Sequence, residues 1–400
     1  MVTKTLHGSY PQPDPYGALR MPMYETAAFE FASAAQMKEA FAGRLAGRPT
    51  YSRVGNPTVE AFERRLATMT GAKAVLASAS GMAAISQTLL ALAGAGDNIV
   101  ASPWLFGHTY GLLAQTLRQM GIEVRFGKAK DGSDLPALID EKTRAIFVET
   151  LSNPQLFVAD ITLLANAAKE SRIPLVVDTT ATPPGLFDAK ERGVAIEVLS
   201  ATKALSGGGS VVGGVIVDYG FDYGANPWLR PWEGAPNPLM AKLRKEIVRN
   251  FGSMMSPLHA ERFLLGIETL ALRLARMNTT AYELALLLSQ QGFTINYPGL
   301  TSHPDHERAK ALFHGFGSLV VVDVGSEEQA WRLIDGVKVL RRATNIHDNK
   351  SLIIHPWSTI YGEYDEATKR SLMITPGEVR ISVGLEPVSD LIEDIRQALA

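Results

Sequence analysis

The sequence feature that most constrains the fold is an alternation of short apolar runs with helical patterns between residues 71 and 218. Seven runs are predicted to be strands, at 74–77, 99–102, 123–126, 145–149, 175–178, 196–200 and 215–217. Helical patterns lie between several of them, at 82–92, 110–120 and 161–169. This βαβ rhythm requires a parallel or mostly parallel sheet that is covered on both faces. The stretch is therefore predicted to form one α/β domain.

The segments on either side of this domain have different patterns. Residues 1–55 are rich in Pro, Gly and Tyr, as in PQPDPYG and GRPTYSRVGNPT, and are too irregular to carry a core. We predict that they form an arm that contacts a neighbouring subunit. A helical stretch at 257–290, strands at 319–323 and 379–383 and a helix after Pro387 predict a second, smaller α+β domain. The predicted division is an arm at 1–55, an α/β domain at 56–250 and an α+β domain at 251–400.

Charge and cysteine content exclude several classes of function. The 39 Lys and Arg residues against 41 Asp and Glu give a formal net charge of −2, so there is no basic field to favour nucleic acid or an anionic membrane as the main partner. The absence of Cys excludes disulfides, thiolate metal sites and a cysteine nucleophile. The N-terminal MVTKTLHGSY lacks the apolar core of a signal peptide. We expect a cytoplasmic protein that acts on small molecules.

Two charged residues follow predicted strands at the edge where open α/β sheets bind ligands. Asp178 lies in PLVVDTT, and Lys203 lies 25 residues later in SATKALSGGGS. A lysine flanked by Ala and Thr is partly desolvated, which lowers its pKa and frees its amine to form a Schiff base with an aldehyde. A nearby aspartate suits the ring nitrogen of pyridoxal phosphate (PLP). Taken singly, each residue has an ordinary alternative, a solvated lysine and a turn-capping aspartate.

A phosphate-binding element is predicted beside this pair. Ser80, Gly81 and Met82 lie at a strand-to-helix junction, where free backbone N–H groups and the helix dipole attract an anion. Ser200 and Thr202 add hydroxyl groups just before the lysine. Taken alone, the first element is equally consistent with an ordinary helix N-cap. The glycine-rich run 207–214 precedes a strand, which argues against a dinucleotide loop, and is predicted to pass close to a ligand or a subunit contact.

Two further motifs carry charge or metal-binding side chains. Arg380 lies among Val and Ile in VRISVGLE and must have a partner, either a substrate carboxylate bound in a bidentate manner or a structural ion pair. His303 and His306 have a spacing that can hold a metal, but without a third ligand nearby they indicate a surface turn. We therefore assign no metal.

Six motifs in order resemble one family over nearly the whole chain. They are YSRVGNPT, SGMAAI, SNP, SATK, IIHPWST and VRISVGLE. Their order and spacing are similar to those of the cysteine and methionine metabolism family of PLP enzymes. This family includes cystathionine γ-synthase, the cystathionine and methionine lyases and the homoserine-ester sulfhydrylases. The resemblance implies fold type I of the PLP-dependent transferases, with a mostly parallel seven-stranded sheet, and a homotetramer built as a dimer of dimers with shared active sites.

The resemblance also implies a role for each matching residue. Lys203 would bind the cofactor covalently and act in catalysis together with Asp178, the partner of the ring nitrogen. The remaining cofactor-binding positions would be Gly81, Met82, Phe106, Asn153, Ser200 and Thr202, with Tyr51 and Arg53 reaching the cofactor phosphate of the adjacent subunit. Arg380 would grip the substrate α-carboxylate, and Asn153 and Tyr51 would also contact substrate.

Within the family, the chain looks most like O-acetylhomoserine sulfhydrylase, and Ser210 points the same way. The implied reaction is γ-replacement on an O-acylated homoserine, expected to be the O-acetyl ester, with sulfide or a small thiol. It gives homocysteine or its thioether, such as methionine, and acetate. The alternatives are a cystathionine γ-synthase or a γ-lyase on the same scaffold and, more remotely, a non-catalytic paralogue.

The chain departs from the family pattern at several positions near the expected cofactor. Phe106 occupies the position of a usual Tyr, so it can stack on the cofactor but offers no hydroxyl group. Thr179, Ala204 and Gly208 replace a usual Asn, an aromatic residue and His. These changes leave Lys203 and the other principal site residues in place.

Overall fold

The computed structural model describes residues 2–7, 16–45 and 47–400. Two sheets organise this part of the chain. The larger sheet consists of β1 (Ala74–Ser78), β2 (Asn98–Ala101), β3 (Glu123–Phe126), β4 (Thr143–Glu149), β5 (Leu175–Asp178), β6 (Ile196–Leu199) and β7 (Gly214–Asp218). The smaller sheet consists of β8 (Thr294–Asn296), β9 (Leu319–Asp323), β10 (Arg341–Arg342), β11 (Leu352–Ile354) and β12 (Glu378–Ser382).

Helices precede, connect and follow the strands. They are α1 (Val2–His7), α2 (Ala34–Phe41), α3 (Pro57–Thr70), α4 (Gly81–Leu92), α5 (Gly107–Gly111), α6 (Leu117–Gln119), α7 (Ile161–Glu170), α8 (Pro238–Lys242), α9 (Arg249–Phe251), α10 (Pro257–Glu268), α11 (Leu270–Gln290), α12 (His306–Leu312), α13 (Glu327–Gly336), α14 (Glu366–Ser371) and α15 (Val388–Leu399). Within the described residues, none of them combines the length and apolarity that a membrane crossing requires.

The large sheet has the order β1-β7-β6-β5-β4-β2-β3. Its pairs from β3 to β6 are parallel, whereas β7 runs antiparallel to both β1 and β6. The carboxyl ends of β4, β5 and β6 therefore meet at one edge. Because β1 and β6 both oppose β7, β1 also ends at this edge, where α4 begins. The mostly parallel α/β sheet predicted from the sequence is thus observed.

The small sheet has the order β10-β11-β12-β9-β8 and is antiparallel apart from its β10–β11 pair. Strand β12 lies at its centre, where Arg380 is opposite Val321 of β9 and Ile354 of β11. The two strands expected in this half, at 319–323 and 379–383, are therefore neighbours. The strands β8, β10 and β11 have two or three residues each and were not predicted.

Some local expectations differ from the structure. The helical stretch at 257–290 is two helices, broken at Thr269, and the helix at 110–120 begins at Gly107 and passes through a π-helical segment at Leu112–Thr116. The expected arm contains α1 and α2, while its Pro-rich residues 11–15 lie outside the described residues. The division at 55 and 250 stays a proposal. Helix α10 follows the second boundary and packs its Phe263 on Phe62 of α3, with ring centroids 5.3 Å apart.

The glycine-rich run packs closely on other segments of its own chain: a Cβ on Gly207 would lie 2.9 Å from the Gly266 backbone, and one on Gly214 would lie 2.0 Å from the Ser80 carbonyl oxygen. That the run also passes close to a ligand or a subunit contact stays a prediction. The prediction of a surface position was wrong for His303: this residue is buried, and its Nδ1 accepts the Asp305 N–H at 3.0 Å. The Nδ1 of His306 is 2.9 Å from the Pro298 carbonyl oxygen, so both rings serve local structure.

Candidate active site

A cavity of about 520 Å³ opens at the carboxyl edge of the large sheet. Its walls come from the ends of β4 to β6, the start of α4, and loops of the C-terminal half. Among the predicted site residues, those that line it are Gly81, Met82, Phe106, Asn153, Asp178, Ser200, Thr202, Lys203 and Arg380. Tyr51 and Arg53 do not line it. Nine residues spread over 300 positions of sequence are therefore brought together.

Lys203 enters the cavity from the loop after β6. Its Nζ donates a hydrogen bond to Oδ1 of Asn345 at 2.7 Å. Burial, with a further contribution from the Arg380 charge, lowers the pKa of the Lys203 amine to about 8. An amine that loses its proton near neutral pH is a competent nucleophile toward an aldehyde.

Asp178 is the last residue of β5 and is buried. Its Oδ1 accepts the Thr180 N–H at 2.8 Å. Glu149 ends β4 directly opposite Asp178, and its Oε1 accepts the Phe106 N–H at 2.6 Å. Burial raises the pKa of both carboxyls, and the Asp178 charge raises the pKa of Glu149 further. Within the described residues Asp178 forms no ion pair, so a protonated ring nitrogen would supply the cation that it lacks.

The predicted phosphate-binding residues lie at the end of the cavity where α4 starts. The Ser80 Oγ caps this helix by accepting the Ala83 N–H at 3.1 Å. A Cβ on Gly81 would lie only 2.7 Å from the Ser200 Cβ, so the backbone here packs directly on Ser200. The Thr202 hydroxyl is already occupied, since it donates to the Gly213 carbonyl at 3.2 Å and accepts the Gly213 N–H at 3.0 Å. It would have to release that carbonyl in order to donate to a phosphate.

Arg380 reaches the cavity from the centre of the small sheet and is 1% exposed. Its Nη1 donates to Oδ1 of Asn153 at 2.9 Å, and its Nη2 is 3.3 Å from the Thr344 and Asn345 carbonyl oxygens. Its Nε has no hydrogen-bond partner, and burial lowers the pKa of the guanidinium to about 10. No carboxylate of the described residues forms an ion pair with it. The structural ion pair considered from the sequence is absent there, and the guanidinium suits a carboxylate that arrives from outside.

One departure from the family pattern has a visible partner. The Thr179 hydroxyl donates to Oε1 of Glu197 at 2.5 Å, and the Tyr219 hydroxyl donates to Oε2 at 2.5 Å. Burial raises the pKa of Glu197 to about 6. Thr179, which directly follows Asp178, is thus bonded to another buried carboxyl group, that of Glu197 on the neighbouring strand β6. Glu197 could not be singled out from the sequence, because a single Glu in an apolar strand does not indicate which residues surround it.

Other residues that contact the predicted site were also missed. Asn345 and Glu149 contact predicted site residues, while Tyr361 donates through its hydroxyl to the Leu105 carbonyl at 2.9 Å and lies at 3.3 Å from that of Asn153. Asn345 lies 142 residues from Lys203 and Tyr361 lies 208 residues from Asn153, so these contacts form only through tertiary packing. The signal that pointed to this region was the IIHPWST motif, whose Thr359 lines the cavity.

Tyr51 and Arg53 lie in the arm. The Tyr51 side chain is 45% exposed, and the Arg53 guanidinium lies 5.6 Å from its ring centroid. Arg53 Nη1 donates to the Arg249 carbonyl at 2.5 Å. Neither residue contributes to the cavity of its own chain.

The cavity fits PLP on three structural observations. It presents a partly buried amine with a lowered pKa, a buried carboxyl without a cation, and a helix N-terminus that a side chain at position 81 would obstruct. The unpartnered Nε of Arg380 adds a site for a substrate carboxylate. This arrangement defines a PLP site of the kind in which an amino acid binds beside the cofactor.

Comparisons with known proteins agree with this assignment. The model of the family described as Cys/Met metabolism PLP-dependent enzyme matches residues 2–400, and the chain belongs to this family. It is 38% identical to O-acetyl-L-homoserine sulfhydrylase 1 of Thermus thermophilus, over all of this chain and 99% of the relative. It is also 35% identical to the O-acetyl-L-homoserine sulfhydrylase of Corynebacterium glutamicum, over all of this chain and 96% of that one.

Solved structures give the same result. A putative O-acetylhomoserine (thiol)-lyase of Campylobacter jejuni, which carries a pyridoxyl-lysine phosphate, superposes with a TM-score of 0.92 at 31% identity, covering 100% of this chain and 99% of that one. The O-acetylhomoserine sulfhydrylase of Wolinella succinogenes has a TM-score of 0.77 at 45% identity, covering 87% of this chain and 99% of that one. The expected family, its PLP dependence and fold type I are thereby confirmed.

Proposed function

We propose that this chain catalyses γ-replacement on an O-acylated homoserine, with sulfide or a small thiol as the incoming nucleophile. With the O-acetyl ester and sulfide, the Cγ–O bond breaks and a Cγ–S bond forms, giving homocysteine and acetate. The observation that carries the proposal is the convergence of Lys203, Asp178 and Arg380 on one cavity. It is supported by relatives of full length that are named O-acetyl-L-homoserine sulfhydrylase.

Each residue has a proposed task. Lys203 holds the cofactor and then moves protons on the substrate carbon chain, for which a pKa of about 8 is suitable. PLP, when bound, supplies an electron sink next to the substrate Cα. Asp178 keeps the ring nitrogen protonated, and Arg380 holds the α-carboxylate with help from Asn153. The phosphate rests on Gly81, Met82 and Ser200, with Thr202 assisting after it gives up its bond to Gly213.

The assembly of the subunits and the lack of a hydroxyl group on Phe106 also bear on the reaction. We propose that Tyr51 and Arg53 of the partner subunit complete the phosphate and substrate sites, within a homotetramer in the cytoplasm. Phe106 stacks on the cofactor ring. Because Phe has no hydroxyl group, the acid role of the usual Tyr passes to another group or to water.

The experiment compares two products from the same substrate. Purified enzyme loaded with PLP receives O-acetylhomoserine with and without sulfide, and homocysteine and 2-oxobutyrate are both measured. We expect sulfide-dependent homocysteine in large excess, and no turnover by Lys203→Ala. Predominant 2-oxobutyrate in the presence of sulfide would instead indicate a γ-lyase. Failure to form either product would favour a non-catalytic role.

A further inference from the structure

A carboxylate lies at the open side of the cavity. Glu363 lines the cavity and is solvent-exposed, in the turn that follows the IIHPWST motif. Glu363 is not one of the predicted site residues, and the proposed reaction assigns it no task. Glu363 is therefore an acidic residue on the cavity wall that remains in contact with solvent.

The backbone at Glu363 is fixed from both sides. Two residues before it, the Tyr361 hydroxyl donates to the Leu105 carbonyl at 2.9 Å. One residue after it, the Tyr364 hydroxyl donates to the Gly107 carbonyl at 2.9 Å. The two segments are in close contact, since a Cβ on Gly107 would lie 3.0 Å from the Ile360 carbonyl oxygen. Residue 363 is therefore held next to the Phe106 segment.

The two basic residues Lys203 and Arg380 of the cavity already have proposed tasks. The ionisable lining residues are His108, Glu149, Asp178, Lys203, Glu363, Tyr364 and Arg380. Lys203 takes the cofactor and Arg380 the α-carboxylate, and the His108 ring stands edge-on to Phe106 at 5.1 Å between centroids. No lining Lys or Arg of the described residues is left for a second carboxylate on the substrate. Glu363 would repel one.

We propose that Glu363 is a specificity-determining residue that makes this site select esters with a neutral acyl group over esters whose acyl group carries a carboxylate, such as succinyl. This inference rests on the proposed function. With the α-carboxylate at Arg380, the acyl group is the far end of the substrate and extends toward the open side, where Glu363 lies. The apolar side chains of Val212 and Ile360 also line the cavity and suit an acetyl methyl group.

The expected size of the effect follows from charge repulsion. Two like charges about 4 Å apart in water-like surroundings reduce binding by about fivefold, and by more where the dielectric is lower. Because Glu363 is exposed, salt screens part of the repulsion. The discrimination is therefore expected to weaken as ionic strength rises.

The test uses three esters of homoserine: O-acetyl, O-succinyl, and the amide of the O-succinyl ester. The amide has nearly the size of the succinyl ester but no charge, so it separates charge from size. The kcat/KM for homocysteine formation with sulfide is measured for wild type, Glu363→Gln and Glu363→Lys. The matched control is Glu366→Gln, which makes the same change in net charge on the exposed helix α14 and does not line the cavity.

We expect wild type and Glu366→Gln to prefer the amide over the succinyl ester by about fivefold or more. Glu363→Gln should reduce this preference to about twofold or less, and Glu363→Lys should reverse it. An unchanged preference in both Glu363 variants would overturn the inference. Equal kcat/KM values of wild type for the succinyl ester and its amide would overturn it too, including the case in which both are equally poor relative to the acetyl ester. If wild type converts no ester, both the proposed function and the inference fail, whereas activity on the acetyl ester with an unchanged preference refutes the role of Glu363 alone.

Discussion

The Lys203 amine is largely buried and also experiences the positive charge of Arg380, and both features lower its affinity for a proton. The depressed pKa of about 8 means that the neutral amine dominates above that pH, whereas an ordinary lysine stays protonated until about 10.4. Only the neutral amine attacks an aldehyde. The lysine is therefore prepared for cofactor capture before PLP arrives.

We expect the rate at which cofactor-free enzyme captures PLP to rise with pH around a midpoint near 8. Capture is followed by absorbance after rapid mixing, and borohydride reduction with peptide mapping identifies the modified lysine. Lys190→Ala, a change at an exposed lysine away from the cavity, should leave the profile unaltered. A midpoint near 10, or an adduct on another lysine, would contradict the assignment of Lys203.

Burial of the Arg380 guanidinium is energetically unfavourable as long as no ligand is bound. A buried guanidinium with an unpartnered Nε gains most from a planar carboxylate, which accepts two parallel hydrogen bonds. Arg380→Lys keeps the charge but loses this geometry. We expect KM for the amino-acid substrate to rise about tenfold or more, corresponding to the loss of about 1.5–3 kcal/mol from hydrogen bonds to a charged group.

The dissociation constant of PLP, measured by fluorescence on cofactor-free protein, should change much less in this variant. The comparison separates substrate binding from general damage to the site. Equal losses in PLP and substrate affinity would show that Arg380 acts on the structure of the cavity, and unchanged substrate affinity would remove its assigned role.

Among the elements, the strand ends of the large sheet bring the chemistry together. Glu149, Asp178 and Ser200 terminate or follow adjacent parallel strands, and α4 starts at the same edge because β1 shares their direction. A side chain at position 81 would enter this junction, since its Cβ would lie 2.7 Å from the Ser200 Cβ. Gly81 is thus required by the packing of α4 on the strand ends.

Gly81→Ala is expected to push α4 away from Ser200. Such overpacking costs about 1–3 kcal/mol, and we expect a lower melting temperature together with about tenfold weaker PLP binding. Gly234→Ala is the control, because a Cβ there meets nothing within 4 Å. Thermal unfolding with and without PLP measures both quantities. A variant that binds PLP as tightly as wild type would exclude Gly81 from the phosphate site.

The elements also show how far sequence alone could go. The strands of the large sheet were predictable to within two residues at each end, because buried parallel strands are continuous apolar runs. The site residues Asp178 and Lys203 were predicted because open α/β sheets bind ligands at the carboxyl ends of their strands. Strand β10, with two residues, is too short to give a pattern. Loops distant in sequence bring Glu363 to the cavity wall and Asn345 to the Lys203 amine. Tertiary packing, which no local pattern encodes, decides those positions.

At the scale of the whole molecule, the described residues of the arm do not line the cavity of their own chain. Tyr51 is 45% exposed, and Arg53 donates a hydrogen bond to the Arg249 carbonyl of α9. An exposed aromatic residue beside an arginine is suited to an interface. The proposed roles of these two residues therefore require a second copy, in which each arm completes the other cavity.

This arrangement predicts that two inactive variants restore each other. Lys203→Ala lacks the cofactor lysine of its own cavity, and Arg53→Ala lacks the contribution of its arm to the partner's cavity. In a mixed dimer, one cavity combines the intact lysine of one chain with the intact arm of the other. Random mixing of equal amounts makes half of the dimers mixed, so about a quarter of all sites should recover activity before selection. Selection of mixed oligomers through both tags raises this fraction, up to about half of the sites when every dimer is mixed.

The control pairs Lys203→Ala with Arg380→Ala. Both changes lie in the cavity of their own chain, so no combination of those two chains yields a complete site and no activity should return. The variants are co-expressed with different tags, mixed oligomers are purified through both tags, and homocysteine formation is measured. If the arms serve their own chains, the Lys203 and Arg53 pair will stay as inactive as the control, because exchange of subunits then repairs neither cavity.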